Sequence, residues 1–186
     1  MTALSRAISV FVFSGTLLLA GMAFGAPAPT SGTATDPDAA TITNQVKHNL
    51  AMLPWYGVFD NLKFQVNGSE VTLSGQVTSE HDQTKYDAEK EVRRVPGVTK
   101  VVNDIQVLPL SMFDNQIRRA AYRAIFSASD LGRYTMGAIP PVHIIVDNGH
   151  VTLEGKVMDQ MDRTVAGIVA NSVPGVFSVT NNLQIG

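Results

Sequence analysis

The sequence predicts an α+β fold built as two tandem units. Three observations lead there. The chain writes one strand twice, VTLSGQV at 71–77 and VTLEGKV at 151–157. Its flanks repeat in the same order: NQVK (44–47) returns as NQIR (115–118), and VPGVTKVVNDIQV (95–107) returns as VPGVFSVTNNLQI (173–185). Within each copy, helical spacing alternates with period-two spacing, so each unit mixes helices and strands. The repeat is about 70 residues long. The units fall at 37–108 and 111–186, with Pro109 in the short connection between them. Each is expected to be helix–hairpin–helix–strand, a small three-stranded mixed sheet packed on two helices.

The elements follow in order. Asp36-Pro37 reads as a helix start, because Asp caps free N–H groups and Pro is tolerated in a first turn. Ile42, Val46, Leu50 and Leu53 then recur at helical spacing until Pro54. Leu62, Phe64 and Val66 alternate with polar residues, and Asn67-Gly68-Ser69 turns the chain. Val71, Leu73 and Val77 make the returning strand of the hairpin. Ser79 and Asp82 have capping-box spacing ahead of a helix that buries Ala88, Val92 and Val95. Pro96-Gly97 ends it, and Val98 to Val107 is the third strand.

The second unit repeats the plan. Ser111 and Asp114 cap a helix with Ile117, Ala121, Ala124 and Ile125 inside. The hairpin is carried by Val142, Ile144 and Val146, then Val151, Leu153 and Val157. Asp159 caps a helix burying Val165, Ile168, Val169 and Val173, and Val176 to Ile185 closes the unit. Gly75 and Gly155 fall where a strand wants a core-facing side chain, which reads as clearance for a crossing helix. Gly97 and Gly175 are helix-stop glycines.

Residues 1–25 read as a signal peptide: Arg6, an apolar run from Ile8 to about Leu19, then Ala23 and Gly25 at the −3 and −1 positions before Ala26. Their removal takes the formal charge from −2 to −3. The chain has no cysteine, so lipidation at a processed Cys is excluded, as are disulfides and thiol chemistry. Residues 26–36 read as a flexible linker. An exported, periplasmic protein is expected.

The ordered set Val71, Leu73, Gly75, Val77, Gly97, Val98, Val101, Asn103, repeated as Val151, Leu153, Gly155, Val157, Gly175, Val176, Val179, Asn181, resembles the BON domain. The resemblance covers both units. A signal peptide followed by two such domains is similar to the OsmY arrangement. It implies a cell-envelope protein linked with osmotic stress and phospholipid binding, with no catalytic residues to carry over. The second unit departs from the pattern in SASDLGRYTMGAIPP (127–141), which is longer than its counterpart.

The residues themselves offer little chemistry. Neither a phosphate-binding glycine loop nor a GxSxG elbow is written. His48, His81, His143 and His150 show no metal-ligand spacing, although His143 and His150 bracket a hairpin and could approach each other. No enzyme, cofactor or metal is expected, and the net charge of −2 argues against nucleic acid. One segment stands out. Arg118, Arg119 and Arg123 share a helix with Tyr122 and Phe126, and Arg133 and Tyr134 follow. Arginines beside rings suit an anionic phospholipid surface. The same residues also read as a solvated helix face, with the rings completing the core, or as a surface for an envelope protein. Trp55, Tyr56, Val58 and Phe59 form a second aromatic cluster, read as core or inter-unit packing ahead of a membrane wedge.

Overall fold

The chain is described by a computed structural model over residues 38–128, 130–137 and 139–186. The expected signal peptide, linker and Asp36-Pro37 helix start lie outside the described residues. Helix α1 (Ala39–Ala51) is instead capped by Asp38, whose carboxylate accepts from Thr41 N–H at 2.7 Å. Ile42, Val46 and Leu50 are buried along it, as their spacing predicts, and Leu53 is buried just beyond its end.

Strands β1 (Asn61–Asn67) and β2 (Glu70–Val77) form the antiparallel hairpin. Helix α2 (Gln83–Arg93) follows a short 3-10 turn at Ser79–His81. The expected Ser79–Asp82 capping box does not form. Asp82 is already helical (φ −56°, ψ −31°) and makes no side-chain cap bond, because the 3-10 turn runs straight into the helix.

The third strand departs from expectation. It is two pieces, β3 (Lys100–Asn103) and β4 (Gln106–Val107), both parallel to β2. The register is the same on either side of the break, Glu70 opposite Lys100 and Gln76 opposite Gln106, so Gly75 lies level with the buried Ile105. Asn103 makes the break. Its amide donates to the Lys85 carbonyl (2.9 Å) and to Glu89 (3.0 Å) on α2, and its side-chain oxygen accepts from Ile105 N–H (3.3 Å). A side chain that bonds its own backbone two residues on competes with the ladder and turns the strand.

The second unit repeats this closely. Helix α3 (Met112–Ser127) leads to a 3-10 turn (Leu131–Thr135), then to hairpin β5 (Val142–Asp147) and β6 (His150–Val157). Helix α4 (Gln160–Asn171) and the split strand β7 (Ser178–Asn181) and β8 (Gln184–Ile185) complete it. Asn181 repeats the Asn103 clip, donating to the Arg163 carbonyl at 2.7 Å and accepting from Leu183 N–H at 3.2 Å. Ser111 and Asp159 cap their helices as expected. The stripe predicted for α4 is shifted. Asp162, Ala166 and Ala170 are its buried residues, Val165 and Val169 pack partly against the core, Ile168 is exposed, and Val173 is buried as expected just beyond the helix end.

Gly75 and Gly155 do not clear a helix. At Gly75 the backbone has φ +111°, and a Cβ there would sit 1.9 Å from the Asn61 carbonyl oxygen of the neighbouring strand. Gly155 repeats this with φ +116° and the Pro141 carbonyl at 2.0 Å. These are strand kinks at which only glycine lets the adjacent backbone close in. Gly97 (φ +87°) and Gly175 (φ +89°) are not the helix stops expected, because the helices are already capped at Arg94 and Ser172. Each glycine sits three residues on, in a turn closed by Val98 N–H to the Val95 carbonyl (3.1 Å) and by Val176 N–H to the Val173 carbonyl (3.2 Å), where the second central position calls for positive φ.

The two units keep separate sheets and separate cores. They are joined by the loop ahead of β1. Ile144 N–H of edge strand β5 donates to the Val58 carbonyl at 2.8 Å, and Val58 and Phe59 pack against the second core. Tyr56 stacks on His143 with ring centroids 5.4 Å apart. Lys63 reaches Glu154 at 3.1 Å and Asn115 reaches Glu80 at 2.8 Å across the junction.

Candidate functional site

Helix α3 carries the residues the sequence singles out, and its register sorts them. Residues 114, 117, 118, 121 and 125 face inward, all buried. Arg118 is therefore not on an exposed flank. It is only 3% exposed, and its guanidinium donates to Asn115 Oδ1 and to the Val146 carbonyl of β5 (2.6 Å). Burial pulls its pKa below the ordinary guanidinium value, opposed by the charge of Asp114. Asp114, one turn earlier, accepts from Asn148 N–H (3.1 Å) and Gly149 N–H (2.8 Å) at the hairpin tip. Together the pair clamps α3 to the β5–β6 hairpin. The i, i+4 spacing of Asp114 and Arg118 puts both on the face turned to the hairpin, where each bonds to it separately.

Arg133 and Tyr134 are also structural. Tyr134 is buried in the second core, donates to Asp162 and accepts from Met158 N–H at 2.8 Å. Arg133 pairs with the same Asp162 carboxylate and lies 5.2 Å from the Tyr134 ring centroid. Hydrogen bonds to Tyr134 and Asp162 raise the Arg133 pKa. The 127–141 insertion thus closes the second core with Leu131 and Tyr134, while Met136 stays exposed.

Arg119, Tyr122, Arg123 and Phe126 remain. Arg119 and Arg123 are exposed one turn apart, and neither has an ion-pair partner among the described residues. With Tyr122 they line an open groove of about 360 Å³ whose far wall is Val58 and Phe59 from the joining loop. Tyr122 meets Phe126 edge-on at 4.8 Å and Phe59 at 6.2 Å. The groove is apolar at its base with two free guanidinium groups at its rim. Sequence spacing finds the helical half of it. The half from Val58 and Phe59 is brought in only by docking of the units.

This constellation repeats no feature of the first unit, but the frame that carries it does repeat. A scan of family models matches the BON domain twice, over residues 38–109 and 114–186. The chain belongs to the BON domain family. Among solved structures it is similar to the C-terminal domain of CdsD, the structural protein of the type III secretion system of Chlamydia trachomatis. The identity is 12%, covering 81% of this chain and 100% of that one, with a TM-score of 0.30. A second CdsD structure is similar at 13% identity, over 78% of this chain and 93% of that one, with a TM-score of 0.28. Superpositions that loose carry no functional argument. No curated protein matches the chain.

Two further groups lie at the joint between the BON repeats. Asp60 is fully buried and accepts from Thr78 N–H (2.9 Å), Gly57 N–H (3.1 Å) and His81 Nδ1 (3.1 Å), fixing the joining loop. Its role was not legible in the sequence, since nothing local distinguishes a buried Asp from a turn Asp. His143 lies opposite Glu154 and His150 opposite Asp147, so the two histidines sit at opposite ends of the hairpin and do not approach. The Gly57 carbonyl, 3.2 Å from His143 Nδ1, can only accept, so the neutral ring carries its proton there and turns Nε2 to the Tyr56 hydroxyl at 3.4 Å. Burial pushes the His143 pKa below its ordinary 6.5, more than the Gly57 carbonyl and the Asp60 and Glu154 charges raise it.

The sign of the pH effect follows. Above 6.5 the ring is neutral in both folded and unfolded chains, and the His143 contribution is complete. As pH falls below 6.5 the unfolded chain takes the proton first, and stability drops until the folded value is passed. Melting temperature should decline on acidification below 6.5, and His143→Phe should flatten that limb of the profile. An unchanged slope in the variant would remove His143 from the account.

Proposed function

We propose that this BON protein is a non-catalytic, exported envelope protein that binds anionic phospholipid peripherally through the exposed face of α3. Envelope maintenance or osmotic stress is the setting the family suggests. The observation that carries the reading is the groove of Arg119, Tyr122 and Arg123 against Val58 and Phe59, with two free guanidinium groups above an apolar base. Guanidinium groups pair with lipid phosphates in bidentate fashion, and rings favour headgroup depth. Met112 lies on the same helix stripe, about two turns before Arg119 and about three before Arg123, and is 80% exposed. Phe113 and Phe177, both exposed, flank Gly149 beside it. Among the described residues no helix is long and apolar enough to cross a membrane, so the contact proposed is with a surface.

Co-sedimentation with vesicles tests this. The protein should bind vesicles rich in phosphatidylglycerol at low salt, bind phosphatidylcholine vesicles weakly, and release as salt rises. Each cation near an anionic surface gives about 1 kcal/mol, so Arg119→Glu with Arg123→Glu should weaken binding about 30-fold or more. Binding that ignores salt and both reversals would overturn the reading.

A further inference from the structure

Away from α3, a polar groove follows the junction of the two BON repeats. Two depressions of about 510 and 550 Å³ meet there, and Lys63, Glu154, Asn182 and Gln184 line both. Lys47 of α1 and Lys156 of β6 stand at the first, and Arg163 of α4 at the second. Four cations thus surround one carboxylate in a chain whose net charge is −2. Such local excess in a concave site raises the concentration of anions there.

The inner groups are already partly satisfied. Glu154 pairs with Lys63 at 3.1 Å and accepts from the Asn182 amide at 3.0 Å. Arg163 donates to the Asn181 carbonyl at 3.3 Å. Lys47 and Lys156 are exposed and have no ion pair among the described residues. The groove therefore offers two free ammonium groups, and the amides of Asn182 and Gln184 lie along it.

The backbone here narrows the choice of occupant. An extended peptide adds to a sheet through a run of free edge groups. The β7–β8 edge has no such run. It is broken at Asn182–Leu183, where Asn182 N–H goes to the Leu153 carbonyl (2.9 Å) and Leu183 N–H to Asn181, and β8 is two residues long. The other edge strand at the groove, β1, lines it with only its first three residues, Asn61, Leu62 and Lys63. A single-stranded nucleic acid needs ring faces for its bases. Tyr56, the aromatic residue of the groove, already stacks on His143. Side-chain amides and ammonium groups remain, and these match the hydroxyls and carboxylates of an acidic sugar chain.

We infer that this groove binds an acidic oligosaccharide lying across both BON repeats. Lys47 and Lys156 meet its carboxylates, and Asn182 and Gln184 meet its hydroxyls. Lys47 and Lys63 come from the first repeat and the other groups from the second, so the site exists only when the repeats are docked. The site shares no residue with the α3 groove and stands independently of the lipid reading.

The test is calorimetric titration of the whole protein with a galacturonate hexamer and, separately, with the neutral maltohexaose. The acidic hexamer should bind about tenfold tighter than the neutral one. Lys47→Glu with Lys156→Glu should weaken it by at least about tenfold, at an unchanged melting temperature because both side chains are exposed. The Arg119→Glu, Arg123→Glu variant should bind the hexamer as the parent does. No binding, equal affinity for the two hexamers, or binding indifferent to the lysine reversals would each overturn the inference.

Discussion

Gly75→Val should lower the stability of the protein by about 4 kcal/mol. Two costs combine. A β-branched residue at φ +111° sits in a region that L side chains rarely adopt, a strain of about 1–3 kcal/mol. Its Cβ would also fall 1.9 Å from the Asn61 carbonyl oxygen and 3.0 Å from its carbon, and relief requires parting β1 from β2, an overpacking cost of about 1–3 kcal/mol. The melting temperature should fall by about 10 °C or more. Gly68→Asn is the matched control. Gly68 also has positive φ (+61°), but nothing lies within 4 Å of its Cβ position, and Asn tolerates the left-handed region. That variant should stay within about 1 kcal/mol of the parent. If both variants melt alike, close approach of the strands is not the reason for the glycine.

Arg118→Glu should unfold or severely destabilise the second repeat. The substitution places a carboxylate at a buried position facing the Val146 carbonyl and near Asp114, where the guanidinium now donates. Leaving a buried charge without a partner costs about 3–5 kcal/mol. Arg118→Met is the milder companion. It removes the donor and leaves the Val146 carbonyl unmatched, for about 1–3 kcal/mol. Arg119→Glu, on the exposed stripe, should change stability by no more than about 0.5 kcal/mol. Denaturant titration of the three variants separates these outcomes, and a stable Arg118→Glu protein would refute the clamp. The distinction governs any membrane experiment. Reversing all three arginines together would abolish binding by unfolding alone, whatever α3 contacts.

The repeat was enough to fix the order of elements. Period-two runs in 62–66 and 71–77 return in 142–146 and 151–157, and these become β1, β2, β5 and β6. Local chemistry also placed Ser111 and Asp159 at their helix starts, because a cap needs only its own first turn. Where several local options compete, sequence spacing was weaker. Ser79 and Asp82 have cap spacing, but the 3-10 turn supplies the helix start first. Asn103 and Asn181 lie inside runs that read as single strands, and only contact with α2 and α4 gives their amides a reason to leave the ladder.

What the sequence by itself determined is the unit, its duplication and the rough position of a basic, aromatic helix. Those depend on periodicity and on contacts within a few residues. The tertiary structure alone decided which arginines are free. Arg118 and Arg119 are adjacent and chemically identical, yet the 100° step of the helix turns one onto the Val146 carbonyl and the other into solvent. It decided too that Gly75 and Gly155 answer a neighbouring carbonyl rather than a helix, and that Val58 and Phe59 complete a groove begun by Tyr122. Each of these joins residues far apart in the chain. A single sequence records what each residue prefers, whereas burial and pairing are set by whatever the fold brings beside it.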